Sequence, residues 1–101
     1  RQLDGSISPF DQLAKIVDAV GDKIDVICEG GIQRGTHVLK ALSVGAKACA
    51  GGRLYLYALA SAGEKGVERA LNLIKNEIIR DMKLMGCTSI DQLSRSNLHY
   101  S

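Results

Sequence analysis

Tryptophan is missing from this 101-residue chain, and proline and phenylalanine occur once each. With so few aromatic rings there is no row of stacking surfaces for nucleic-acid bases. The net charge of +2 carries no basic stripe either, so nucleic acid is excluded as a partner. No apolar run approaches the ~20 residues that a membrane span needs, and no stretch reads as a signal peptide. Cysteine is scarce and odd in number: Cys28, Cys49 and Cys87 have no metal-ligand spacing. They read as reduced thiols of an intracellular protein, two of them behaving as small apolar residues in strands. Histidine is limited to His37 and His99, neither with a carboxylate or thiol at a telling spacing, so surface or capping roles suffice. No acid/base dyad, activated nucleophile or metal constellation is visible.

What remains is a chain that is 46% hydrophobic and 24% charged, enough for one small domain with a modest core. It opens on Arg1 rather than Met, as a trimmed, proteolysed or incompletely read sequence would. Ser8-Pro9-Phe10-Asp11 reads as a helix start, with a serine N-cap, proline at the first position and an acid in the first turn. Phe10, Leu13, Ile16, Val17 and Val20 form its apolar face, and Gly21 stops it. Ile24–Cys28 reads as a strand covered on both faces, as in parallel sheets. A helix from about Thr36 turns Val38, Leu39, Ala41, Leu42 and Val44 inward and ends at Gly45. Lys47–Ala50 is a second strand, parallel to the first because a helix crosses between them. A short helix over 53–60 follows. Ser61-Ala62-Gly63-Glu64 has the form of a capping box and opens a long helix to Met85, with Val67, Leu71, Ile74, Ile78, Met82 and Met85 on one stripe. Gly86 ends it. Thr88-Ser89-Ile90-Asp91 caps a last short helix carrying Leu93, and the tail is polar.

The central feature is the double strand–glycine–helix pattern. Glu29-Gly30-Gly31 leads from the first strand towards a helix, and Gly51-Gly52-Arg53 leads from the second. Helix starts leave backbone N–H groups unpaired and carry partial positive charge, so each is a ready anion cradle. The glycine pair alone could be a turn needing positive φ. Arg53 alone could be a solvated charge, and Glu29 a mere helix-proximal acid or an acceptor for ligand hydroxyls. Together the two turns point to a phosphate site shared by two loops, with a guanidinium suited to it. Tyr55 and Tyr57 read as packing residues.

The order α-β-α-β-α-α-α leaves two strands that cannot cover their own edges. It reads as the C-terminal part of a TIM (β/α)8 barrel, a fold of ~250 residues in which the loops after strands 7 and 8, beside a short extra helix, commonly bind phosphate. Residues 1–101 are then one C-terminal segment of a single barrel domain, whose catalytic base lies elsewhere.

Four segments carry a family resemblance: Arg1-Gln2-Leu3-Asp4, Glu29-Gly30-Gly31-Ile32-Gln33-Arg34-Gly35-Thr36, Lys40-Ala41-Leu42-Ser43-Val44-Gly45-Ala46 and Gly52-Arg53. They resemble the FMN-dependent α-hydroxy acid oxidases and dehydrogenases, which include glycolate oxidase, flavin-type lactate dehydrogenase and mandelate dehydrogenase. Gly86-Cys87-Thr88-Ser89-Ile90 is similar to that family's C-terminal segment. The resemblance implies FMN as cofactor, a 2-hydroxy acid as substrate and oxygen, quinone or a cytochrome as electron acceptor. It implies that Arg1 grips the substrate carboxylate and that the histidine base lies before position 1, so that no catalytic residue falls in this chain. It places Glu29 on the ribityl hydroxyls. It sets Gly30, Gly31, Ile32, Gln33, Arg34, Gly52 and Arg53 around the FMN phosphate. Gln33 stands where the family commonly has a phosphate-facing arginine, Glu29 where it has aspartate, and Gly51 where it has a bulkier apolar residue. The Gly-Gly-Ile-Gln run is also similar to inosine monophosphate dehydrogenase, a second phosphate-binding barrel, but the first and last segments speak against it. The segment is expected to be inactive alone and either to self-associate or to pair with the rest of its barrel. A cytoplasmic location, or a peripheral one at the inner membrane, is the accompanying expectation.

Overall fold

A computed structural model describes residues 3–100, so the expected substrate-binding Arg1 lies outside the described residues. Helix α1 (Pro9–Val20) begins as its sequence dictates. The Ser8 hydroxyl oxygen accepts the Asp11 N–H at 3.2 Å and donates to the Asp11 carboxylate at 2.7 Å. Leu13 is buried, with Phe10, Ala14, Val17 and Val20 packed beside it. Ile16, placed on that face by its spacing, is instead 46% exposed. The stripe runs through positions 10, 13, 14, 17 and 20, and residue 16 falls at its margin.

The first strand starts later than the apolar run suggests. The N–H groups of Lys23 and Ile24 both return to the Val20 carbonyl, at 2.9 and 3.0 Å. The chain is therefore still turning at Ile24, and β1 spans Ile27–Glu29. The second strand, β2 (Ala48–Ala50), pairs with β1 in parallel, with Ile27 opposite Ala48, Cys28 opposite Cys49 and Glu29 opposite Ala50. Between them α2 (Gly35–Val44) buries Gly35, Leu39, Ala41, Ser43 and Val44, while Val38 and Leu42 are only half-buried. Gly45 closes it at φ +123°, a conformation that favours glycine. The core lies between one sheet face and α1 and α2, built from Leu13, Val26, Cys28, Ile32, Ala41, Val44 and Ala46. The other sheet face is bare: Ile27 is 62% exposed.

The two helices expected after β2 form one kinked element, α3 (Arg53–Met85), interrupted at Ala62 and Gly63. The capping box does not form. The Ser61 hydroxyl donates back to the Tyr57 carbonyl at 2.7 Å, so it serves the outgoing turn rather than the incoming one. No residue of α3 is fully buried. Val67, Ile74, Ile78 and Met82 are half-buried, and Leu71 and Met85 are exposed. Gly86, at φ +72°, ends the helix, and the Cys87 N–H reaches the Met82 carbonyl at 2.9 Å in a Schellman closure. The tail then makes two 3₁₀ turns, Ile90–Gln92 and Arg95–Asn97. The second was not legible as structure. Asn97 Oδ1 accepts the Ser94 N–H at 2.9 Å within it, and Arg95 docks it on the rest of the chain, donating to Asp18 at 2.7 Å and to the Val44 carbonyl at 3.2 Å. No described helix is long and apolar enough to cross a membrane.

Candidate anion-binding site

Both glycine turns emerge at the same end of the two parallel strands and enclose a small cleft of about 80 Å³. Its walls are Glu29, Gly30, Gly31, Ile32 and Gln33 from the first turn, and Gly52, Arg53 and Leu54 from the second. Gly30 and Gly31 take φ values of +116° and +74°, so the first turn does need glycine at both places. At Gly30 a side chain would also collide with the Pro9 ring, whose Cγ lies 2.6 Å from the position of a Cβ. On the second turn Gly52 is the N-cap of α3 and has no side chain to cap it. The N–H groups of Arg53 and Leu54 are the orphan donors of that helix start, and the helix dipole favours negative charge in front of them.

Glu29 lies close to this helix start: its Oε1 is 3.6 Å from where a Cβ on Gly52 would stand. The cleft thus sets a carboxylate, a hydrogen-bond acceptor, beside Arg53 and the orphan N–H donors of α3. At position 51, where a bulkier residue would sit, the ring of Tyr55 comes within 2.9 Å of the Cβ position and takes the space.

Arg1 lies outside the described residues, and the structure separates one residue from the expected set. Arg34 does not line the cleft: its Nε donates to Glu77 Oε1 at 2.8 Å. The start of α2 is likewise no open anion cradle, because the Gly35 N–H donates to Glu77 Oε2 at 2.7 Å. A carboxylate of the chain itself occupies that position, held below the usual glutamate range by the Gly35 N–H first and by Arg34 second. Inside the first turn the Gln33 N–H donates to His37 Nδ1 at 3.2 Å, so His37 braces the loop from behind. Glu77 and Gly35 were not identifiable from sequence. The two are 42 residues apart in sequence, and Gly35 is small because the Glu77 Cβ lies 2.5 Å from its own Cβ position.

Behind the site, Cys28 and Cys49 sit side by side in the sheet. Burial, then the neighbouring Cys28, pushes the Cys49 thiol up to about 11. Burial and the Glu29 carboxylate raise Cys28. Neither is a nucleophile under ordinary conditions. Among the described residues no group of three or more His, Cys, Asp or Glu could hold a metal ion.

Two parallel strands joined through a helix, with helices on one side and a cleft at their shared end, define the chain as an α/β unit of the (β/α) barrel kind. The profile of the FMN-dependent dehydrogenases matches residues 1–100, and the chain belongs to that family. It is 43% identical over 99 residues to the L-lactate oxidase of Nostoc sp., covering 98% of this chain and 27% of that protein. It is also 43% identical over 101 residues to human 2-hydroxyacid oxidase 2, covering 100% and 29%. Its fold superposes on a soluble mutant of the membrane-associated (S)-mandelate dehydrogenase of Pseudomonas putida with a TM-score of 0.93 at 42% identity, over 100% of this chain and 28% of that one. The flavin-binding domain of baker's yeast flavocytochrome b2 gives a TM-score of 0.91 at 43% identity, over 98% and 26%. The chain thus spans little more than a quarter of the length of these relatives, and its fold is the C-terminal part of a TIM barrel.

Proposed function

We propose that the cleft between Glu29 and Arg53 holds the phosphate end of FMN, and that the chain is the FMN-phosphate-binding segment of an oxidoreductase converting 2-hydroxy acids to 2-oxo acids. The observation that carries this reading is the cleft that joins Arg53 and the α3 start with the Glu29 carboxylate. A ligand with a terminal phosphate and a polyhydroxylated stem suits both kinds of group: anion against Arg53 and the α3 start, hydroxyls against Glu29. Relatives of this chain are lactate and 2-hydroxyacid oxidases and a flavin-binding domain, which supports FMN over a nucleotide substrate.

In this reading Gly30, Gly31 and Ile32 shape the wall, Gln33 contributes a neutral amide, and Gly52 keeps the approach to the α3 start open. Among the described residues Arg53 supplies the guanidinium of the cleft. When bound, FMN supplies the electron-accepting chemistry. This chain's residues bind and orient its phosphate end. Arg1 grips the substrate carboxylate, and the proton-abstracting histidine lies outside residues 1–101. The electron acceptor is oxygen, a quinone or a cytochrome, in the cytoplasm or at the inner-membrane surface. Residues 1–101 form one segment of a single FMN-binding barrel domain, inactive by itself, whose bare sheet face pairs with the other barrel strands or with a second copy.

The test is direct. The intact protein carrying this chain should show the visible absorbance bands of a flavin and release FMN, not FAD or riboflavin, on denaturation. A protein that instead retains a purine nucleotide and no flavin would overturn the assignment.

A further inference from the structure

Glu77 binds the start of α2 from the second half of α3. Its carboxylate takes two donors at once, Arg34 Nε at 2.8 Å and the Gly35 N–H at 2.7 Å, and its side chain is only 21% exposed. Both donors stand where the phosphate loop joins α2. The rest of that loop is braced at Gln33 by His37, and the Pro9 ring leaves no room for a side chain at Gly30. Without Glu77 the start of α2 and Arg34 would form a second positive centre beside the cleft.

We propose that Glu77 is a positioning residue for the phosphate loop. By acting as the internal anion of the α2 start, it holds Arg34 out of the cleft and fixes the Gly30–Gln33 wall against which the ligand phosphate is bound. The inference rests on the FMN reading for its ligand, but not for its effect on the loop. Arg34 then acts only through Glu77, and among the described residues Arg53 is the guanidinium that meets the phosphate.

The experiment uses the intact protein and three variants: Glu77→Gln, Arg34→Gln and the double variant. Two readouts are taken, the Kd for FMN against that for riboflavin, and amide hydrogen exchange without ligand. Glu77→Gln is expected to weaken FMN about tenfold, to leave riboflavin within about twofold, and to speed exchange at residues 30–36 but not in α1. Arg34→Gln, at an exposed side chain, should show a smaller effect in the same direction, and the double variant should be no worse than Glu77→Gln. Several results would overturn the proposal. One is an equal loss of FMN and riboflavin binding with exchange raised throughout the chain, which is a structural role only. Another is unchanged exchange in the loop. A third is Arg34→Gln weakening FMN more than Glu77→Gln, which makes Arg34 a direct ligand. If Glu77→Gln does not fold, Arg34→Gln alone decides by whether its loss is specific to FMN. Loosening of the loop in a protein that binds no FMN would overturn the cofactor and leave the positioning role standing.

Discussion

At the residue scale, the glycines divide by cause. Gly31 is required by its φ of +74° and has open space where a Cβ would stand. Gly35 has an ordinary helical backbone, but its Cβ position is 2.5 Å from the Glu77 Cβ and 2.8 Å from the Ile78 backbone nitrogen. Gly31→Ala should therefore cost about 1 kcal/mol through backbone strain alone. Gly35→Ala should cost about 1–3 kcal/mol, because α2 and α3 must move apart. Urea titration of the two variants gives the order, and a larger loss at Gly31 would contradict it. Gly66 belongs with Gly35: a Cβ there would stand 2.1 Å from the Ala58 carbonyl oxygen, where the two halves of α3 fold against each other. Of these three, only Gly31 announces itself in sequence. A glycine pair after an apolar run signals a turn, whereas a glycine demanded by a distant helix looks like any other.

At the scale of elements, most of what depends on nearby residues was readable and what depends on distant ones was not. The start of α1 at Ser8-Pro9, the parallel β1–α2–β2 unit and the stops at Gly45 and Gly86 follow from local chemistry. Two departures are nonetheless local: the Lys23 and Ile24 N–H groups return to Val20, three and four residues back, and delay β1, and Asn97 caps the Ser94 N–H of the second 3₁₀ turn. Only the docking of that turn, through Arg95 to Asp18 and the Val44 carbonyl, depends on distant residues. Ser61 shows a local signal that loses, since its hydroxyl prefers the preceding turn. The two glycine turns were legible as turns at the strand ends, and they do share a cleft, but the diversion of Arg34 and the α2 start to Glu77 was not legible. That diversion has a pH consequence. The folded-state value of Glu77 lies below its ordinary value, about 4.3 in an unfolded chain. Its contribution to stability is therefore fully present above that value and is lost as pH falls through the folded one. The Tm difference between the parent and Glu77→Gln should shrink on acidification below about pH 4. A difference constant across that range would show that the carboxylate's charge does not stabilise the α2–α3 contact.

At the scale of the whole molecule, the chain buries one sheet face and leaves the other open. Ile27 on that face is 62% exposed, and Leu56, Tyr57 and Leu59 on the first half of α3 are 59%, 60% and 52% exposed. Exposed apolar surface and unpaired strand edges drive association. The 101-residue chain by itself should therefore sediment as an oligomer at micromolar concentration and oxidise no 2-hydroxy acid. A stable monomer would mean that this surface is tolerated in water, and turnover of lactate, mandelate or glycolate would mean that the chain holds its own base. The central claim is that the part of the cleft built on Arg53 and the α3 start binds the FMN phosphate while Gln33 adds no charge. Hydrogen bonds to a charged partner are worth about 1.5–3 kcal/mol, or roughly ten- to hundredfold in affinity. The most direct measurement is the FMN Kd of Arg53→Ala and Gln33→Ala variants of the intact protein, with riboflavin as the phosphate-free control. Arg53→Ala is predicted to weaken FMN by that margin and leave riboflavin unchanged, with Gln33→Ala within about twofold of the parent. Equal losses in the two variants, or an Arg53→Ala loss shared by riboflavin, would contradict the account.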